Sequence, residues 1–101
     1  MRFNEIMASV IDYKAYRKTA RLHKALGNER RIVLLEFLAQ EDRPERNTVA
    51  DLARRFRIPY KLVSRHLQIL DQADLVERVR RGQEVGYRAT ALGRQALNVT
   101  P

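Results

Sequence analysis

Four side chains in the middle of the chain, Lys61, Ser64, Arg65 and Gln68, recur at three- and four-residue spacing, which lines them along one face of a helix. All four donate or accept hydrogen bonds, and a guanidinium or carboxamide on such a face can form paired bonds with the edges of bases. The intervening Val63, His66, Leu67 and Leu70 make an opposite face suited to a core. A second basic group, Arg78, Arg80 and Arg81, lies in a stretch of alternating character, where cations suit phosphate. Taken alone, the first group reads more readily as a solvated helix face, a balance that only its context reverses, and the second can also serve as protection of an edge strand against aggregation.

The rest of the composition narrows the chemistry. The 101 residues carry 20 Lys and Arg against 12 Asp and Glu, a formal charge of +8, which favours a polyanionic partner, nucleic acid first. There is no cysteine, so disulfides, thiolate metal sites and cysteine nucleophiles drop out. The two histidines, His23 and His66, are too few for a transition-metal site, and no nucleophile, base and acid share a catalytic spacing. No enzyme activity, catalytic residue, metal or cofactor is therefore expected, and added zinc should have no effect. His23 reads as a surface residue, and His66 as a half-buried one that bonds to backbone or phosphate. No apolar run approaches the ~20 residues of a membrane span, and Met1 to Glu5 build no secretory leader, so a cytoplasmic protein without a membrane partner is expected.

The elements that must position these groups follow from periodicity and punctuation. Nothing breaks a helix between Phe3 and Leu26, which predicts one long helix or two collinear pieces. Phe3, Ile6, Met7, Val10 and Tyr13 share one face of it. Because later helices supply a core, that face is expected to be a dimer interface. Lys14, Arg17, Lys18, Arg21 and Lys24 follow with no acidic residue between them, a run that reads as solvated or as phosphate-facing. Asn28 should cap a second helix in which Ile32, Leu34, Leu35 and Leu38 are mostly buried and which ends near Gln40.

Glu41 to Asn47, with Pro44, reads as a polar loop. Thr48 should cap a third helix, Val49 to Phe56, its hydroxyl accepting from the backbone of Asp51. Arg57, Ile58 and Pro59 make the turn into a fourth, about Tyr60 to Ala73. A β-hairpin turning at Arg81 to Glu84 comes next, then a short helix after Thr90 that holds Ala91, Leu92, Ala96 and Leu97. Phe56 and Tyr87 read as core. The fold class is mainly α with a β-hairpin: a winged helix-turn-helix of about five helices and a two-stranded wing. It forms one domain, with residues 1–26 serving dimerisation and core and residues 27–101 the DNA-binding region.

From about Ala20 to Thr90 the chain resembles the ArsR family of winged-helix repressors. The resemblance rests on Lys24-Ala25-Leu26 and the capped start after it, on Thr48 to Ala53, on Val63-Ser64-Arg65-His66-Leu67 with Leu70, and on Ala73-Asp74-Leu75-Val76. Asp74 stands where the family has glycine and should adopt left-handed backbone. The resemblance implies a homodimeric transcription regulator, a repressor by default, that places the fourth helix in the major groove of duplex DNA and the wing on the backbone or minor groove. The residues then expected at DNA are Thr48, Tyr60, Lys61, Ser64, Arg65, Gln68, Arg78, Arg80 and Arg81. The Cys-Val-Cys of metal-sensing members corresponds to Thr48, Val49 and Ala50, so that sensor is absent, and no effector is named by the residues. The rival reading is a winged-helix protein-interaction module. It would want an apolar outward face on the fourth helix, against which Lys61, Arg65 and Gln68 argue.

Overall fold

The computed structural model describes residues 11–98. Among the described residues, five α-helices and one antiparallel hairpin follow one another as α1 (Tyr13–Leu26), α2 (Glu29–Gln40), α3 (Val49–Phe56), α4 (Tyr60–Gln72), β1 (Val76–Arg81), β2 (Glu84–Ala89) and α5 (Ala91–Leu97). This is the winged helix-turn-helix order that the sequence predicts.

Local chemistry sets most of the boundaries. Asp12 has extended backbone and its carboxylate accepts from the Lys14 N–H at 3.0 Å, so α1 starts at Tyr13. Of the two forms expected for Phe3 to Leu26, the unbroken helix is excluded by the extended Asp12, and the first of two pieces would lie outside the described residues, as do Phe3, Ile6, Met7 and Val10 of the expected interface face; only Tyr13 of that face falls here. Asn28 accepts from the N–H groups of Arg30 and Arg31 at the start of α2. At α3, Thr48 and Asp51 form a reciprocal capping box: the Asp51 N–H donates to the Thr48 hydroxyl at 3.1 Å and the Thr48 N–H to the Asp51 carboxylate at 3.2 Å. Thr90 caps α5 by accepting from Gly93. Asp74 does take left-handed backbone, with φ of 59°.

The fully buried side chains come from every element around α4: Leu34, Leu35 and Leu38 on α2, Leu52 on α3, Val63, Leu67 and Leu70 on α4, then Leu75 and Val76 entering the wing. Ala25 is buried and Leu22 and Leu26 pack on the same cluster, so the C-terminal half of α1 belongs to the core. Tyr87 is buried, as expected. Phe56 is half-buried and meets Phe37 edge-on, with centroids 5.4 Å apart. No helix among the described residues is long and apolar enough to cross a membrane.

The segment expected to be a plain polar loop differs. Pro44–Arg46 forms a short 3-10 turn, and Asn47 behind it is completely buried. Its Nδ2 donates to the Glu41 carbonyl at 2.7 Å and to the Tyr87 carbonyl at 3.2 Å, while the Tyr87 N–H donates to the Asn47 carbonyl at 3.0 Å. The loop is thereby laid against β2 as a stub of a third strand, bridged at Thr48 and Gly86. Such pairing satisfies polar groups that a buried loop would otherwise orphan.

The turn between α3 and α4 carries strain. Arg57 holds φ of 54°, a left-handed conformation that an L side chain disfavours by roughly 1–2 kcal/mol and that glycine accepts freely. Arg57→Gly should therefore raise stability by about 0.5–1 kcal/mol, after the extra freedom glycine gives the unfolded chain is subtracted. Urea titration checks this, and a lowered midpoint would show that the Arg57 side chain holds the turn in place.

Candidate nucleic-acid interface

Helix α4 separates its two faces cleanly. Val63, His66, Leu67, Ile69 and Leu70 are buried, and Lys61, Ser64, Arg65 and Gln68 are all exposed along the opposite side. Its N-terminus follows Pro59 without any side-chain cap, so the first backbone N–H groups remain available to an acceptor from outside. Tyr60, at 59% exposure, is a large aromatic left in solvent at this end.

The wing stands beside that end of the helix. Thr48, Tyr60, Ser64 and Arg78 line one cleft together with Gln83 at the hairpin turn and Val85 on β2. The Thr48 hydroxyl accepts within its cap and keeps its own O–H to donate. Gln83 was not among the expected residues, and nothing local marks it. It reaches the cleft because the two-residue turn Gly82–Gln83, with φ of 62° at Gly82, folds the hairpin tip back beside α4.

The three wing arginines do not act as one set. Arg78 and Arg80, opposite Tyr87 and Val85, share one face of the hairpin, while Arg81, opposite Glu84, is on the other. Arg81 pairs with Glu45 of the 3-10 turn at 3.2 Å, and Arg80 donates to the Gly82 carbonyl at 3.1 Å. Arg78 makes neither contact and lines the cleft. Elsewhere on the wing, Arg88 is neutralised by Glu77.

The apolar side of α4 contains a group that differs from its sequence-based expectation. His66 is only 5% exposed, and its partner is neither backbone nor surface. Its Nδ1 faces the Arg31 guanidinium at 3.3 Å. Arg31 is itself buried and donates through Nε to the Ala25 carbonyl and through Nη2 to the Lys24 carbonyl, both at 2.8 Å. These carbonyls lie in the last turn of α1, where the helix supplies no full set of donors; that of Lys24 also accepts from the Gly27 N–H at 3.3 Å. One arginine thus stops α1, reaches from α2 and holds α4. Since arginine can only donate, Nδ1 accepts and the imidazole is neutral, with its proton on Nε2. Burial first, then the charges of Arg31 and Arg30, keep the His66 pKa below its ordinary value. Burial, and after it Arg65, lowers that of Arg31. No signal within a few residues of either side chain reveals the pair.

His23 is exposed, and no cluster of three or more potential metal ligands occurs among the described residues.

The chain is similar to known structures over most of its length. It is 29% identical to the homodimeric winged helix-turn-helix DNA-binding domain (fragment 1-100) of Mb0332 from Mycobacterium bovis, a possible ArsR-family transcriptional regulator; the match covers 98% of this chain and 85% of that one, with a TM-score of 0.73. An ArsR-like transcriptional regulator from Rhodococcus sp. RHA1 is 28% identical over 86% of this chain and 78% of its own, with a TM-score of 0.69. HlyU from Vibrio cholerae is 27% identical, with 87% and 92% covered and a TM-score of 0.67. No curated protein sequence matches the chain. The profile of bacterial regulatory proteins of the arsR family matches residues 28–78, from the cap of α2 to the third residue of the wing, and so spans half of the sequence and the whole helix-turn-helix. The chain belongs to the arsR family of bacterial regulatory proteins.

Proposed function

We propose that the protein is a homodimeric, sequence-specific DNA-binding regulator that represses by occupying a promoter. The family is one of transcriptional regulators rather than enzymes. The observation that carries the finer reading is the exposed stripe of Lys61, Ser64, Arg65 and Gln68, with Arg78 across a cleft from its first turn. The major groove admits one helix, and a stripe of donors and acceptors there distinguishes base pairs, whereas a cation on a flanking hairpin meets phosphate. Dimerisation would set two such helices about one helical turn, ~34 Å, apart. Tyr13 and Tyr16, exposed three residues apart on α1, support a self-contact there.

The two classes of contact should fail differently. On a duplex selected from a random library, Arg65→Ala and Gln68→Ala should each lose about 1–3 kcal/mol of discrimination between half-site variants. Arg78→Ala should weaken selected and random duplexes alike and make the salt dependence shallower by roughly one unit, and Arg81→Ala, already paired with Glu45, should do less. Competition binding at two salt concentrations separates these. Discrimination that survives both helix variants and disappears in the wing variant would make the wing the reader. Light scattering should give a dimer mass at micromolar concentration, and a monomer with undiminished affinity would refute the paired-helix arrangement.

A further inference from the structure

A second basic surface lies beside the far end of the reading helix. Lys14, Arg17, Lys18 and Arg21 project from one side of α1 and, together with Gln72 and Asp74 at the end of α4, line a single groove. All four cations are exposed, none makes an ion pair among the described residues, and Asp74 is the one carboxylate in the groove. Uncompensated charges of one sign, gathered on a rigid helix, are a site for a polyanion.

The groove is continuous with the reading face. At 100° per residue, Gln72 falls on the same stripe as Lys61, Arg65 and Gln68. Lys61 to Gln72 spans roughly 16 Å at 1.5 Å per residue, more than the ~12 Å width of the major groove. A helix that enters the groove by its N-terminal turns and lies across it would leave its last turn, and the cations beside it, level with the phosphates that border the groove. The cations also stand clear of the exposed tyrosines: their centre is about 120° around α1 from Tyr13 and Tyr16, so a dimer formed on that face leaves them free.

We propose that the Lys14–Arg21 face of α1 clamps the DNA backbone outside the bases read by α4, an inference that rests on the DNA-binding reading above. It supplies affinity and salt dependence without sequence preference.

The test uses the full chain, a fluorescein-labelled mixed-sequence duplex of about 40 base pairs, long enough to hold both recognition helices and flanking backbone, and anisotropy titrations across a salt series. Lys14→Gln/Arg17→Gln/Lys18→Gln/Arg21→Gln should make the log–log salt slope shallower by up to about 3.6 per protomer, at ~0.9 for each phosphate that is no longer neutralised, and weaken binding about tenfold or more. The double variant Arg17→Gln/Arg21→Gln should show about half that change in slope. Selectivity among half-site variants should be unchanged in both, unlike in Arg65→Ala. If the wild type binds and the fourfold variant keeps its slope, the clamp is refuted and the DNA-binding reading stands. If the wild type binds no duplex, both fall together. If the variants keep the DNA slope and lose binding to polyglutamate instead, the groove serves an acidic protein partner and the proposal is overturned.

Discussion

Gly86→Ala should cost about 3 kcal/mol of stability or more, the upper end of what overpacking does, because the neighbour it strikes is backbone. A Cβ at Gly86 would lie 1.8 Å from the Pro44 carbonyl oxygen and 2.5 Å from its carbon. A flexible side chain could swing away, but the 3-10 turn cannot. It is tied to β2 through Asn47, whose bonds to the Glu41 and Tyr87 carbonyls would have to stretch or break. The Arg81–Glu45 pair on the same turn would be displaced with it. For a domain of this size the loss corresponds to a fall in melting temperature of at least about 12 °C, at 4–8 °C per kcal/mol. Thermal denaturation at a fixed protein concentration checks it. Gly82→Ala is the control: nothing lies within 4 Å of its Cβ, so only the left-handed φ of 62° is penalised, by roughly 1 kcal/mol. If the two variants melted together, the close approach of loop and strand would be wrong.

Arg31→Ala should be nearly as damaging, at about 3 kcal/mol, since hydrogen bonds to a charged group contribute roughly 1.5–3 kcal/mol each and this residue makes two to backbone carbonyls. The deletion would take its donor from the Ala25 carbonyl, leave the Lys24 carbonyl with the Gly27 N–H alone, and leave His66 Nδ1 without its arginine beneath α4. Arg31→Lys should recover less than half of the loss, because an ammonium cannot reach two carbonyls and an imidazole in the fixed plane of a guanidinium. Urea unfolding measures both, and a lysine variant as stable as the wild type would mean that charge, not the fork, is what α1 needs.

The same network sets an acid limit. The folded protein holds His66 neutral below its ordinary pKa, whereas in the unfolded chain it titrates near 6.5. The unfolded state therefore binds more protons as pH falls, and the stability from this group, complete above about pH 6.5, is lost as pH drops from there through the folded value. His66→Gln should flatten this limb. Arg31→Ala should reduce it only in part, because burial is the larger cause and Arg31 the second.

Asn28, Thr48 and Thr90 are legible as caps because each acts on N–H groups two or three residues away, and the polar and apolar faces of α4 because helical spacing alone separates them. Asp74 is legible for the same reason, as the exit of α4 demands a left-handed residue at that place. Even Asp12 is a local marker, harder to see only because no proline or glycine accompanies it. Gly86 leaves a faint trace: a glycine inside a strand marks close approach of backbone, though not by which segment.

The interactions that orient α4 and the wing leave none. Arg31 meets His66 across 35 positions, Asn47 meets Tyr87 across 40, and Arg81 meets Glu45 across 36. A polar loop residue, a helical arginine and a wing arginine look the same in sequence whether they face water or a distant partner. The sequence by itself thus determined the helices from Asn28 onward, the hairpin, their order and the side chains that α4 offers outward, all governed by interactions within about four residues. Only the tertiary structure decided that His66 is a buried acceptor, that Arg78 and not Arg81 lines the cleft with Ser64, and that the basic side of α1 shares a groove with the end of α4. Those depend on which surfaces the core brings together, and no residue's neighbours in the chain record that.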